Sequence, residues 1–243
     1  MTYCIGMQLD RGLVFMSDTR TNAGVDNFST AKKMFHWHVP GERMITLMTA
    51  GNLATTQAMV SLLRERSVAT EDRDPSILRE KTMFQVARLI GATLKEVIAD
   101  SSPKGQYSAE QFSASAIVGG QIKGGLPTIF LIYPEGNFIE ITPDTPFFQI
   151  GETKYGKPIL VRAYDAEMTY DDAVKLLLVS FDSTVKSNLS VGLPFDLQIY
   201  EKDSLTAGRI LRIDEDDSIY QAISSGWGDA LKEAFQHLPS YKV

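Results

Sequence analysis

The spacing of hydrophobic positions changes several times along the chain and predicts separate blocks of strands and helices. The first block alternates between apolar and polar positions, which predicts strands at 3–9, 13–17, 33–39 and 43–49. Tight turns at 10–12 and 40–41 predict that these strands form two hairpins. The polar segment 19–30 between the hairpins is rich in Asn, Gly and Thr, which is typical of an irregular loop.

A helical period replaces this alternation and predicts helices at 52–66 and 76–99. The second helix carries one apolar stripe, because its hydrophobic residues recur at spacings of three and four. The members of this stripe are Met83, Ala87, Ile90, Leu94 and Val97. The acidic segment 70–75 separates the two helices, and a polar loop is predicted at 101–111.

The second half of the chain repeats this grouping. The predicted elements are strands at 112–120, 128–133, 137–141 and 147–150, helices at 153–164 and 169–186, strands at 196–201 and 208–213, and a helix at 218–236. Single strands do not alternate with single helices, which argues against doubly wound and barrel α/β folds and favours an α+β protein with antiparallel sheets. No segment has the composition of a linker, so we expect residues 1–243 to form one domain with an extended C-terminal helix and tail.

Composition and charge exclude several classes of protein. Hydrophobic residues make up 44% of the chain, which is typical of a folded globular protein. The 24 basic and 30 acidic residues give a net charge of −6, which argues against nucleic acid or an anionic membrane as partner. No apolar run is long enough to span a bilayer and no signal peptide is visible, so we expect a cytoplasmic protein. The single cysteine, Cys4, excludes a disulfide scaffold and a multi-cysteine metal site, and no cofactor is expected.

Thr2 is the first candidate for chemistry. Removal of Met1 would leave Thr2 with both a hydroxyl nucleophile and a free α-amine. An α-amine titrates near pH ~7.7–8.0 in model peptides, which suits a general base at neutral pH. Many proteins have a small second residue for no catalytic reason, so Thr2 alone does not decide the question.

Asp18 and Lys33 form the second candidate. If the first hairpin forms, Asp18 ends its second strand beside Thr2, and Lys33 begins the next strand. A lysine beside the nucleophile would favour the deprotonated hydroxyl and lower the pKa of the α-amine. The alternative is an ordinary surface ion pair, worth about 0–1 kcal/mol.

Gly51 and the motif His36-Trp37-His38 complete the candidates. Gly51 lies where a strand ends and a helix begins, and free backbone N–H groups at such a place could hold an oxyanion. The alternative is a glycine required only by the turn. The two histidines share one strand face, but no third ligand is evident, so a half-exposed strand is favoured over a zinc site.

The order of these features resembles the proteasome β-subunit superfamily of N-terminal-nucleophile hydrolases. The resemblance is carried by Thr2 with Gly6, Ser-Asp-Thr-Arg at 17–20, Lys-Lys-Met at 32–34, Ala-Gly at 50–51, Gln-Ile-Gly at 149–151, the helix start at 168–173 and the Ser190 region. Segment 21–27 and the long C-terminal tail are most similar to Anbu, the bacterial "ancestral β-subunit" group.

The resemblance implies a four-layer αββα sandwich, with two antiparallel sheets between helix layers. It implies that Thr2 is the nucleophile with its α-amine as base, that Asp18 and Lys33 complete the catalytic set, and that the Gly51 N–H is the oxyanion donor. No propeptide precedes Thr2, so activation is expected to need only removal of Met1.

The resemblance also assigns supporting residues. Arg20 is expected to support the charge cluster around Asp18, and Ser190 matches a serine that helps to orient the threonine. The chain departs from the family pattern at Glu152, where a serine is usual, and at Ser187, where an aspartate is usual.

Two functions follow from these observations. The first is a threonine-type peptidase that acts on a peptide or protein substrate, and the alternative is a catalytically silent assembly subunit. Both imply a homo-oligomer, either a closed ring or an open helical stack. An ATPase partner is left open.

Overall fold

The computed structural model describes residues 2–22, 28–68, 75–101 and 111–241. The strands in these ranges are β1 Tyr3–Leu9, β2 Gly12–Asp18, β3 Arg20–Asn22, β4 Phe28–Thr30, β5 Met34–Val39, β6 Arg43–Gly51, β7 Ala114–Ile122, β8 Thr128–Ile132, β9 Phe138–Glu140, β10 Phe147–Gly151, β11 Phe195–Glu201 and β12 Arg209–Ile213. The helices are α1 Leu53–Ser67, α2 Met83–Ser101, α3 Lys157–Ala163, α4 Tyr170–Ser187 and α5 Ser218–Gln236.

Two five-stranded antiparallel sheets lie against each other at the centre of the fold. One sheet has the strand order β10-β1-β2-β11-β12, and the other has the order β5-β6-β7-β8-β9. Helices α1 and α2 cover the outer face of the second sheet, and α3, α4 and the start of α5 cover the outer face of the first. The expected α+β sandwich of four layers, αββα, is therefore confirmed.

The central position of β2 explains its unbroken run of apolar residues. Leu13 and Phe15 pack between the two sheets, whereas Val14 and Met16 pack under the helices. Since both faces are covered, the strand needs no polar face, and all seven of its residues are buried.

Three sequence predictions are corrected by the structure. The loop predicted at 19–30 contains β3 and β4, which pair as a small sheet of their own, although residues 23–27 lie outside the described part. The helix predicted from 76 begins at Met83, because Ser76 instead forms a turn in which its hydroxyl accepts from the Leu78 N–H. The helix predicted from 153 begins at Lys157, directly before Pro158.

Some predicted segments lie largely outside the described residues. They are the separator at 70–75 and the polar loop at 101–111, of which 70–74 and 102–110 are not described. The same holds for Met1 and for the last two residues of the tail.

Helix α5 leaves the body of the fold after its first turns. Tyr220 is its only buried residue, and the apolar side chains of Leu231 and Phe235 are half to three-quarters exposed. Leu238 and Tyr241 continue this exposed apolar surface beyond the helix. None of the described helices has both the length and the apolar character that crossing a membrane requires.

Candidate functional site

The register of the first hairpin places Thr2 beside Asp18. Cys4 pairs with Ser17, so the N-terminal end of β1 meets the C-terminal end of β2. The N–H of Tyr3 donates to Asp18 Oδ1 at 2.9 Å, which fixes the carboxylate next to the residue that precedes Tyr3. The side chain of Asp18 is fully buried, and Thr2 is 7% exposed.

Lys33 completes a buried ion pair with Asp18. Its Nζ donates to Asp18 Oδ1 at 2.7 Å and to the Arg20 carbonyl at 2.6 Å. Because both side chains are almost entirely shielded from solvent, the alternative of a surface ion pair is excluded. Burial raises the pKa of the Asp18 carboxyl, and the ammonium of Lys33 and the N–H groups of Tyr3 and Gly192 oppose that rise.

Strand β10 reaches Thr2 from the other side of β1. The N–H of Glu152 donates to the Thr2 carbonyl at 2.7 Å. Gly151 permits this contact, because its φ of +84° suits glycine and a Cβ there would clash with the Thr2 carbonyl. The last residue of β10 therefore has to be glycine for the N-terminus to be held in place.

Gly51 lies at the junction between β6 and α1. Its φ of +111° and its close approach to Ser113 both require a glycine. Asn52 then caps α1, since its Oδ1 accepts from the Thr55 N–H at 3.0 Å. Gly51 is therefore required by the turn, and the same turn lies at the edge of a cleft. The two interpretations of Gly51, as a turn residue and as an oxyanion donor, are compatible.

Three of the residues predicted from the sequence line that cleft. It encloses about 250 Å³, and its lining includes Thr2, Lys33 and Gly51 together with Lys32 and Thr21. A hydroxyl, an ammonium and a helix-start backbone therefore face one small polar space. A larger cleft of about 620 Å³ lies at β10 and α3, but its lining contains none of these three residues.

Arg20 contacts the charge cluster around Asp18 through its backbone. Its carbonyl, rather than its guanidinium, receives Lys33. The guanidinium packs against Gly192 and donates to the Leu189 carbonyl at 3.2 Å. The Arg20 side chain thus binds segment 188–192, and Gly192 of that segment contacts Asp18.

Ser190 lies in the same segment. It is half-buried, and its N–H donates to Asn188 Oδ1 at 3.0 Å. The orienting role implied for the Ser190 hydroxyl stays a prediction.

Sequence reasoning missed two contributors to the site, Gly192 and Asn188. The N–H of Gly192 approaches Asp18 Oδ2 at 3.4 Å. Asn188 Nδ2 donates to Glu152 Oε2 at 3.0 Å, so the end of α4 contacts the end of β10. No local pattern announces these contacts, although the Asn188–Gly192 stretch between a helix and a strand was a possible signal.

The two histidines have structural partners. His36 Nδ1 lies 3.3 Å from the Thr46 hydroxyl, and His38 Nε2 lies 3.2 Å from the Leu205 carbonyl. Burial lowers the pKa of His36 to about 4, so its imidazole is neutral at physiological pH. Cys4 is fully buried between the sheets, as expected for a core residue.

A family model for the proteasome subunit matches residues 2–197, which include Asp18, Lys33 and the whole lining of the cleft. The chain belongs to the proteasome subunit family. Membership accounts for the sandwich, and it makes an N-terminal-nucleophile hydrolase possible. No curated protein sequence matches the chain.

Solved structures of this family resemble the chain over its whole length. Anbu from Yersinia bercovieri is 46% identical with a TM-score of 0.92, covering 100% of this chain and 99% of that one. A Gly-1 mutant of Anbu from Hyphomicrobium sp. strain MC1 is 48% identical with a TM-score of 0.92, covering 100% of both chains. The helical assembly of the Anbu complex from Pseudomonas aeruginosa is 45% identical with a TM-score of 0.92, covering 99% of this chain and 98% of that one.

Proposed function

We propose that this proteasome-family chain is a threonine-type amide hydrolase whose nucleophile is Thr2 after removal of Met1. The observation that carries the proposal is the shared cleft of Thr2, Lys33 and Gly51, with Asp18 buried behind Lys33. A buried lysine fixed by a buried carboxylate is expensive to maintain, and its place beside a hydroxyl gives it a use.

The proposed reaction proceeds through an ester on Thr2. The α-amine takes the proton of the Thr2 hydroxyl as its oxygen attacks the carbonyl of the substrate. The Gly51 N–H stabilises the oxyanion, and the protonated amine then gives its proton to the leaving nitrogen. Water, deprotonated by the same amine, hydrolyses the ester, releases the carboxylic acid and restores Thr2.

The substrate class is a peptide or protein segment bound as an extended strand. Strand β6 ends at the cleft, and the lining includes Thr49, Ala50 and Thr21. The pairing of β6 with β5 ends at Met48, so the end of β6 is open to an added strand on that side, as extended peptides add to open sheet edges.

We also propose that the protein works in the cytoplasm as a homo-oligomer. The relative from P. aeruginosa forms a helical assembly, and it is 45% identical over nearly the whole chain. The exposed apolar surface of α5 offers a contact for a second copy of this chain.

The alternative is a catalytically silent assembly subunit. The residues that favour it are Glu152 and Ser187, which depart from the serine and aspartate expected at these positions. Thr2, Asp18 and Lys33 favour the enzyme, because a silent subunit has no need of a buried charge pair at its N-terminus.

Peptide hydrolysis by the mature chain tests the proposal. Protein with a free Thr2, made by cleavage of an upstream tag, is incubated with a mixed peptide library that is followed by mass spectrometry. The hydrolase proposal predicts new peptide termini with the wild type and none with Thr2→Ala or with the uncleaved protein. Equal cleavage by Thr2→Ala would reject it.

A further inference from the structure

The carboxylate of Glu152 is buried without a described cation. Glu152 is 9% exposed, and its described hydrogen-bond donors are neutral: Asn188 Nδ2 at 3.0 Å and the Lys154 N–H at 3.3 Å. Among the ion pairs found within the described ranges, none includes Glu152. A shielded carboxylate is costly unless a positive charge approaches it.

Glu152 lies opposite Thr2. Tyr3 pairs with Gly151 in the antiparallel register of β1 and β10, so the next pair outward is Thr2 with Glu152. The Glu152 N–H on the Thr2 carbonyl agrees with that pairing. This hydrogen bond holds the two backbones side by side just beyond the end of the regular strand pairing.

We propose that Glu152 is a positioning residue that binds the α-ammonium group of Thr2 once Met1 has been removed. This inference rests on the proposed function, since only the mature chain has an amine at Thr2. Cleavage creates one new cation, and it does so beside the carboxylate that has no described counterion.

Segment 188–192 supports this arrangement from the end of α4. Asn188 donates to Glu152, and Gly192 donates to Asp18. One short segment therefore contacts both carboxylates that flank Thr2, and it sets their spacing across the N-terminus.

The charges around the α-amine act in opposite directions. Lys33, and Lys32 at the rim of the cleft, favour the neutral amine and lower its pKa. Glu152 and Asp18 favour the ammonium and raise the pKa, although Asp18 is already paired with Lys33. Replacing Glu152 by a neutral residue must therefore lower the pKa of the α-amine.

The test measures the titration of the amine itself. Mature wild type and Glu152→Gln receive a short pulse of labelled acetic anhydride at several pH values, and mass spectrometry quantifies acetylation of Thr2. We expect the midpoint of the Glu152→Gln curve to lie about one pH unit lower. Glu135→Gln, on an exposed turn, is the matched control and should leave the midpoint unchanged.

The melting temperatures of the variant in the mature protein and in the tagged precursor give an independent test. In the mature protein, Glu152→Gln should lower the melting temperature, because an ion pair is lost. In the tagged precursor, which has no amine at Thr2, the same change should leave the melting temperature unchanged or raise it. Glu152→Ser serves as a second variant if the glutamine protein does not fold, and it should lower the acetylation midpoint as well.

The outcomes separate this inference from the hydrolase proposal. An unchanged midpoint together with equal melting shifts in precursor and mature protein would overturn the pairing, even if the enzyme is active. A lowered midpoint in a protein that cleaves no peptide would support the pairing and count against the hydrolase.

Discussion

At the scale of single residues, the buried pair of Asp18 and Lys33 is the feature with the largest expected effect. Lys33→Met removes the cation and leaves the Asp18 carboxylate buried among N–H donors alone. We expect the free energy of unfolding to fall by about 3 kcal/mol, as measured by chemical denaturation at matched protein concentration. Asp18→Asn in the Lys33→Met background should recover part of that loss.

The pH dependence of this loss has a definite sign. Burial already raises the pKa of Asp18, and removing Lys33 raises it further. A carboxyl with a raised pKa in the folded state reduces stability above that pKa and stops doing so once it is protonated. The difference in free energy of unfolding between wild type and Lys33→Met should therefore shrink as the pH falls through the raised pKa of Asp18 in the variant. A difference that stays constant with pH would contradict the account.

At the scale of elements, the residue that caps α1, Asn52, also lines the cleft, and its contribution to stability can be measured. Asn52→Ala removes the side-chain cap that accepts from the Thr55 N–H, and it should lower the free energy of unfolding by about 1 kcal/mol. Asn52→Asp keeps an oxygen acceptor and loses only the exposed hydrogen bond from Asn52 Nδ2 to the Gln111 carbonyl, so it should lose less stability than Asn52→Ala. Equal losses in the two variants, by denaturant titration, would show that the cap has no such role.

Element boundaries could be predicted from the sequence only where a period or a turn residue marks them. The first hairpin and the stripe of α2 follow from alternation and from spacings of three and four. The start of α2 was placed too early, because the capping pattern Thr-x-x-Gln at 82–85 was overlooked. The Thr82 hydroxyl accepts from the Gln85 N–H at 3.2 Å, and Gln85 Oε1 accepts from the Lys81 N–H at 3.0 Å. Strands β3 and β4 were missed because short polar strands leave no hydrophobic pattern.

The candidate site divides in the same way. The proximity of Thr2, Asp18 and Lys33 could be predicted, since the register of the first hairpin and the start of the strand after Lys33, which is β5, bring them together. The contacts of Gly192 and Glu152 could not, because they join residues far apart in the chain through backbone N–H groups and an amide. Only the packing of α4 and β10 against β1 decides such contacts.

At the scale of the whole molecule, α5 carries large apolar side chains that the described part of the chain leaves exposed. Leu231 and Phe235 lie one helical turn apart, and both are at least half exposed. If this surface meets a second copy, Leu231→Gln with Phe235→Gln should reduce the oligomer mass measured by sedimentation, while circular dichroism stays unchanged. Glu233→Gln on the same helix is the control, and an unchanged mass for the double variant would contradict the assignment.

The central claim is that Thr2 is a working N-terminal nucleophile. Its most direct test is the intact mass of the mature protein after incubation with a peptide epoxyketone, which requires both the hydroxyl and the α-amine of one residue. We predict one adduct per chain on the wild type, and none on Thr2→Ala or on the tagged precursor. Absence of an adduct from the wild type, with a verified free Thr2, would contradict the claim and favour the assembly subunit.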